Sequence, residues 1–286
     1  MAGFGRVFFF SGIDPLVTVV QFTDTHIVGY GQTHVGRDTA AYLADAVAAA
    51  NELAPPPAYV VVTGDLVDAG SPAEYERFRD IMARLRVPYY VIPGNHDDRD
   101  RLRDVLDPAT FGASRETTIR FTVDDAPIRF VGLDANRPRP SPGATLDAAA
   151  LAWLEATLDA VADRPTIVGV HQPPFRTGLH YLDVFGFRGS GTLRALVDRH
   201  RNVGRVISGH IHCHKRQRWA HALACSAPST APQIVPQLFM DGRIVGLRRE
   251  RPSFAVHGWD AVSGFTTTLH RRDDNGGYAV EVIGMK

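Results

Sequence analysis

Residues 58–65 read Ala58-Tyr59-Val60-Val61-Val62-Thr63-Gly64-Asp65. Apolar and β-branched side chains fill the run, and no turn former interrupts it. That texture is expected of a strand buried on both faces, which Gly64 then ends. Asp65 follows at the strand's C-terminal edge, where open α/β sheets bind their ligands. The same pattern recurs along the chain. Leu16–Phe22 leads into Asp24-Thr25-His26, and Tyr89–Ile92 leads into Gly94-Asn95-His96-Asp97. Pro165–Val170 leads into His171, and Val203–Ile207 leads into Gly209-His210-Ile211-His212. One Asp or His behind a strand is usually a turn residue. Five such islands in order predict an α/β fold with a polar crevice along one edge.

The residue types in that crevice suit a two-metal site. Asp24 and Asp65 offer hard oxygens, Asn95 a neutral oxygen, and His26, His171, His210 and His212 borderline imidazoles. Such mixed ligation fits Fe, Mn, Zn or Co. Asp65 has two carboxylate oxygens and can bridge two cations. The absence of thiolate from the set argues against a zinc finger or an iron–sulfur cluster. If the segments are extended, Asp24 and His26 share a face, and so do His210 and His212. Gly64, Gly94 and Gly209 stand just before ligands, where the backbone must turn sharply or approach closely.

The order D-x-H, G-D, G-N-H-D, a lone H behind a strand, and G-H-x-H resembles that of the calcineurin-like metallophosphoesterases. The resemblance runs from Val17 to His212, about two-thirds of the chain. The string Pro93-Gly94-Asn95-His96-Asp97-Asp98-Arg99 is similar to that of bacterial class III cyclic-nucleotide phosphodiesterases and glycerophosphodiesterases. The resemblance implies Asp24, His26, Asp65 and His212 on one metal, and Asp65, Asn95, His171 and His210 on the other. It makes His96 the non-ligand histidine that faces the phosphate, with His26, Asn95 and His212 also on the substrate side. Two positions depart from sister groups. Ala69 stands where protein Ser/Thr phosphatases carry an arginine clamp. Asp68 stands where purple acid phosphatases carry a tyrosine ligand.

Length and composition bound the rest. The chain has 286 residues, zero formal net charge and two cysteines, Cys213 and Cys225. One large domain over residues 16–286 is expected, preceded by an extension over 1–15. There is no basic stripe to track nucleic acid, and Arg248-Arg249-Glu250-Arg251 is short and mixed with acid. No run is long and apolar enough to span a membrane. The low cysteine count suits a reducing, cytoplasmic setting.

Helices are expected over Arg37–Leu53, from Ser71 to about Leu85, and over Arg99–Leu106, Leu146–Val161 and Gly191–His200. Two antiparallel strands should flank Asp124-Asp125. From 213 onward short β-like runs replace helices, and these are expected to complete a second sheet. The fold expected is therefore mixed α/β: two stacked mixed sheets flanked by helices, a four-layer αββα arrangement. Gln172–Ser190, aromatic and glycine-containing, is expected to form a lid, and Cys225–Gln237 the opposite wall. A homodimer or higher homo-oligomer is compatible with this reading, because lid aromatics suit either a substrate base or a subunit contact.

The activity implied is hydrolysis of a small phosphodiester, a 3',5'-cyclic nucleotide such as cyclic AMP or a glycerophosphodiester, by attack of a metal-activated hydroxide. A phosphomonoesterase or nuclease on the same scaffold is the alternative, because the metal chemistry serves all three. A metal-free binding scaffold is disfavoured, since no ligand position is missing.

Overall fold

A computed structural model describes residues 16–112, 118–234, 239–240, 243–244, 247–248, 253–272 and 278–283. The expected extension over 1–15 lies outside them. Two six-stranded sheets dominate. In the first, Val17–Phe22, Tyr59–Thr63 and Tyr89–Ile92 run parallel, and the antiparallel strands Ser253–Asp260, Gly264–Arg272 and Tyr278–Ile283 extend it from the free edge of Val17–Phe22. In the second, the order is Lys215–Trp219, Ala222–Ser226, Val203–Ser208, Thr166–Gly169, Arg129–Leu133 and Arg120–Val123. Its four inner strands are parallel and its two edge strands antiparallel.

The strand period of two sets the layers. Phe130, Ile167 and Ile207 of the second sheet pack into the core shared with the first sheet. Their neighbours Val131, Val168 and Val206 face a second core. Successive side chains leave a strand on opposite faces, so each inner strand feeds two cores. Helices Thr39–Asn51 and Pro72–Met82 cover the first sheet through Leu43, Val47, Tyr75 and Phe78. Helices Ala148–Asp159 and Ser190–Arg199 cover the second through Leu154, Leu158, Leu193 and Val197. The mixed α/β architecture is thus the one expected. Helix starts follow the residues that named them. Ser71 accepts from Glu74 N, Glu74 returns to Ser71 N, and Pro72 occupies the first turn.

One expectation is corrected. The tail does not all go to the second sheet: Lys215–Trp219 and Ala222–Ser226 join it, but the strands from Ser253 to Ile283 join the first. An antiparallel hairpin needs only a short turn, so periodicity does not say which free edge it will take.

Polar side chains tie the sheets together beneath the ligand-bearing edge. Gln21 Nε2 donates to Thr63 Oγ1 at 2.8 Å and to Ser208 O at 2.9 Å. His257 bridges Gln21 Oε1 and Thr267 Oγ1, each at 3.0 Å. Tyr59 OH crosses to Ile128 O at 2.9 Å. Each of these buried groups is satisfied, which rigidifies the junction of the strands that carry the ligands.

Candidate metal centre

The parallel strands end and their loops keep pairing. Asp24 N donates to Gly64 O at 2.9 Å, His26 N to Asp65 O at 3.0 Å and Ile27 N to Leu66 O at 3.1 Å. These loops are not extended. Asp24, His26, Asp65, His210 and His212 have φ of 50°, 40°, 50°, 70° and 48°. Among the described residues, only Val35 and Ala220 are other non-glycines with positive φ. The parity argument for Asp24–His26 and His210–His212 is therefore corrected. From a left-handed backbone, which costs a non-glycine roughly 1 kcal/mol or more, Asp24 and His26 reach one ligand group while His212 and His210 reach different ones. Such outliers gather where the surroundings hold them in place, and here they gather at one edge.

The glycines behave as their positions suggest. A Cβ at Gly94 would run into the Asp65 carboxylate and amide nitrogen, and one at Gly209 into Thr23 Oγ1. The loops can approach this closely only without side chains there.

The structure brings all the expected residues together. Asp24, His26 and His212 present ligand atoms within 4.8 Å of one another, and so do Asp65, His171 and His210. Asp65 Oδ2 stands between the two groups, 3.7 Å from His26 Nε2 and 3.3 Å from His171 Nε2. Asn95 Oδ1 is 3.2 Å from His171 Nε2, and Asp24 Oδ1 is 3.5 Å from His212 Nε2. His96 stands beside them with 40% of its side chain exposed, its Nδ1 2.8 Å from Asp68 O.

Tautomers follow from the outer hydrogen bonds. His26 Nδ1 donates to Asp68 Oδ1 at 3.1 Å, His212 Nδ1 to Pro232 O at 2.9 Å and His171 Nδ1 to Thr63 O at 2.8 Å. Each bond leaves Nε2 turned inward. His26 Nε2 and His212 Nε2 then face each other at 3.1 Å. Burial holds both rings at a pKa of about 4 despite the neighbouring Asp68 and Pro232 acceptors, so at neutral pH two lone pairs oppose one another. Burial and the neighbouring His171 push His210 down to about 3. Burial raises Asp24 to about 6 against the pull of His171. Burial would also raise Asp65, but His171, with His26 and His96, outweighs it and holds that carboxyl well below its ordinary value. The opposed lone pairs of His26 and His212 beside the buried Asp24 and Asp65 carboxylates suit cations, so the residues fit the metals implied.

The surrounding residues act as supports. The Asp97 carboxylate accepts from Gly94 N at 2.7 Å, Leu66 N at 3.1 Å and Tyr75 OH at 3.0 Å, clamping two ligand loops together. Arg99 is engaged with the Asp134 carboxylate and, at 2.7 Å, with Asn136 O, so it braces the scaffold. Ser229 Oγ donates to Asp24 O at 2.9 Å. The 226–233 part of the expected wall is therefore packed beneath the ligands. Cys213, next to His212 in a bend, is partly buried.

The expected lid is largely built in. Asp183 accepts from Thr177 N at 3.0 Å and Gly178 N at 2.9 Å, and Phe187–Arg188 pairs with Ala144–Thr145. Beside it lies a cavity of about 260 Å³, lined by Gln172, Phe175, Leu182, Phe187, His210 and Ile211 among others. Because His210 lines it, the cavity opens against the metal centre.

Two residues near the centre were not legible in advance. His34 reaches Asp68 Oδ1 at 3.2 Å, and Arg139 Nη1 donates to Ala69 O at 3.3 Å. A guanidinium thus reaches the turn where Ala69 itself supplies none. Both come from loops without a motif, so only the folded chain reveals them.

The family model described as Calcineurin-like phosphoesterase matches residues 17–214. A protein of Arcobacter nitrofigilis named "Probable glycerophosphodiester phosphodiesterase GpdQ" is 31% identical, over 87% of this chain and 91% of its own length. The 3',5'-cyclic adenosine monophosphate phosphodiesterase CpdA of Pseudomonas aeruginosa is 32% identical, over 78% of this chain and 79% of its own. A dimetal phosphatase from Danio rerio shares the fold, with a TM-score of 0.65 at 17% identity over 96% of this chain and 100% of its own.

Proposed function

The chain belongs to the calcineurin-like phosphoesterases, and from that premise we propose that it is a dinuclear-metal hydrolase of small phosphodiesters, cyclic nucleotides or glycerophosphodiesters. The observation that carries this reading is Asp65 Oδ2, which lies within 3.7 Å of His26 Nε2 and 3.3 Å of His171 Nε2, one from each ligand group. Asp24, His26, Asp65 and His212 would hold one ion. Asp65, Asn95, His171 and His210 would hold the other. Two such ions supply Lewis acidity to a phosphoryl oxygen and acidify a water at neutral pH.

The chain's own residues do the remainder. His96 points its Nδ1 at Asp68 O, which leaves Nε2 as the edge open to substrate. Burial alone would lower its pKa, but hydrogen bonding to Asp68 and the charge of Asp65 outweigh that and raise it to about 9. In the metal-free chain it therefore carries a proton, which it would present to a phosphoryl oxygen or a departing alkoxide. The cavity beside His210, with Phe175, Leu182, Phe187 and Ile211, would receive the substrate's organic part. The curated relatives' names, together with zero net charge and no basic stripe, support a small diester over a nucleic acid. Among the described residues no helix is long and apolar enough to cross a membrane. A count of only two cysteines suits a cytoplasmic location, which we propose as well.

The test is a panel of cyclic AMP, glycerophosphodiesters, a bis-aryl phosphate and an aryl monophosphate, assayed with Mn²⁺-loaded protein. Turnover of the aryl diester and of at least one natural diester is expected. Aryl monophosphate turned over more than about a hundredfold faster than any diester would overturn the diester reading.

A proton count gives a second expectation. Burial would depress His171, yet Asp65 outweighs it and lifts the imidazole to about 9 in the metal-free chain. A raised pKa means the proton stays bound at neutral pH and leaves only as pH rises toward that value. Ligation through Nε2 needs the lone pair, so metal uptake must expel the proton. Calorimetric Mn²⁺ titrations at pH 7, in buffers of different ionisation heat, should show release of about one proton per chain. Apparent affinity should climb with pH up to about 9. Uptake with no proton released would show that His171 is already neutral.

A further inference from the structure

The turn His34-Val35-Gly36-Arg37 is tight and strained. His34 N donates to Arg37 O at 3.0 Å and Arg37 N returns to His34 O at 2.9 Å. Val35 sits at φ 50° and Gly36 at φ 70°. Positive φ is an outlier for a β-branched residue. Val35 is 55% exposed, so its own packing does not offset the strain. What the turn achieves is the placement of His34. That ring stacks on His26 at 4.6 Å between centroids and 11° between planes, and its Nδ1 lies 3.2 Å from Asp68 Oδ1.

Asp68 differs from the other outer partners of the ligand histidines. His171 and His212 donate to the backbone carbonyls of Thr63 and Pro232, which cannot rotate away. His26 donates to a carboxylate, the stronger acceptor, which raises the ring's basicity toward a metal. But that carboxylate is a side chain 33% exposed, with rotamers of its own. His96 Nδ1 is only a distant third donor to it, at 3.5 Å. His34 is the second close donor to the same oxygen.

We propose that His34 is a positioning residue: it holds the Asp68 carboxylate against His26 Nδ1, and so strengthens metal binding in the half of the centre built from Asp24, His26 and His212. This rests on the dinuclear reading above. The His34 side chain brings Nδ1 to Asp68 and stacks flat on His26, a ligand of one group only. Its effect should therefore be confined to one of the two ions.

The experiment is calorimetric titration of Mn²⁺ into metal-free protein, comparing wild type with H34A, H34Q and H34F, and with H26A to identify the affected site. H34A should weaken one of the two sites by about 10- to 100-fold and leave the other unchanged, the weakened site being the one H26A loses. H34Q keeps an N–H donor for Asp68 and should recover most of the affinity. H34F keeps the stacked ring without the donor and should not. The Gln and Phe variants decide the matter even if the Ala variant folds poorly. Unaltered affinities in H34A, equal weakening of both sites, or wild-type behaviour in H34F would overturn the proposal. Fewer than two ions bound by wild type would overturn the dinuclear reading instead, and this inference with it.

Discussion

Asp65→Ala is expected to lose both metal ions and to lower kcat/KM by about 10³-fold or more, the scale of several kcal/mol of transition-state stabilisation. The reason is geometric. One oxygen of Asp65 faces His26 Nε2 and His171 Nε2, which belong to different ligand groups, while the other accepts from His96 N at 2.8 Å. Among the described residues no other carboxylate lies within 4.0 Å of ring nitrogens from both groups. Alanine also removes the acceptor for His96 N, so Asp65→Asn is the companion variant. It keeps the side chain's shape and an acceptor for His96 N. Elemental analysis of dialysed protein reads the outcome directly. Two ions per chain retained in either variant would defeat the bridging assignment. Asn95→Ala is the contrast. Its Oδ1 lies 3.2 Å from His171 Nε2, so loss should concentrate in that half. Equal loss at both sites would argue against the assignment.

The legible and illegible parts of this molecule divide along a physical line. A strand such as Tyr59–Thr63 is legible because burial on both faces leaves a continuous apolar run, and glycine marks its end. Helix Pro72–Met82 was legible because its caps are local: Ser71, Pro72 and Glu74 lie within one turn. The ligand identities were legible because metal chemistry restricts residue type. What was not legible depends on contacts distant in sequence. Ser253–Asp260 pairs with Val17–Phe22 through a register that no local pattern encodes. The left-handed backbone at Asp24, His26, His210 and His212 is held by partners on other loops, among them His210 N donating to Asp24 Oδ1 at 3.0 Å. A sequence shows a two-residue spacing, but not whether the segment is extended. Arg99 illustrates the same limit. It starts helix Arg99–Val105, and only the fold reveals Asp134 waiting for its guanidinium.

His96→Ala should keep both ions while kcat falls by about 10²- to 10⁴-fold, the ordinary contribution of a positioned acid or charge stabiliser. His96 lies beside the ligand groups, but its Nδ1 is spent on Asp68 O at 2.8 Å, and its own backbone N supports Asp65. The alanine variant keeps that backbone contact, so the metal ligands should not shift. In the metal-free chain Asp68 and Asp65 raise the ring to about 9 against burial, so it is protonated through neutral pH with Nε2 as the nitrogen that would donate. Two roles are then separable by the leaving group. If His96 protonates the departing alkoxide, a poorly leaving alcohol such as glycerol should suffer most, and an aryl diester, whose phenolate needs no proton, much less. If it only stabilises charge on a phosphoryl oxygen, both substrates should slow by the same factor. In either case KM should change far less than kcat, because the charge develops on the way to the transition state. An unchanged kcat on the poorly leaving diester, with both ions in place, would remove His96 from the reaction.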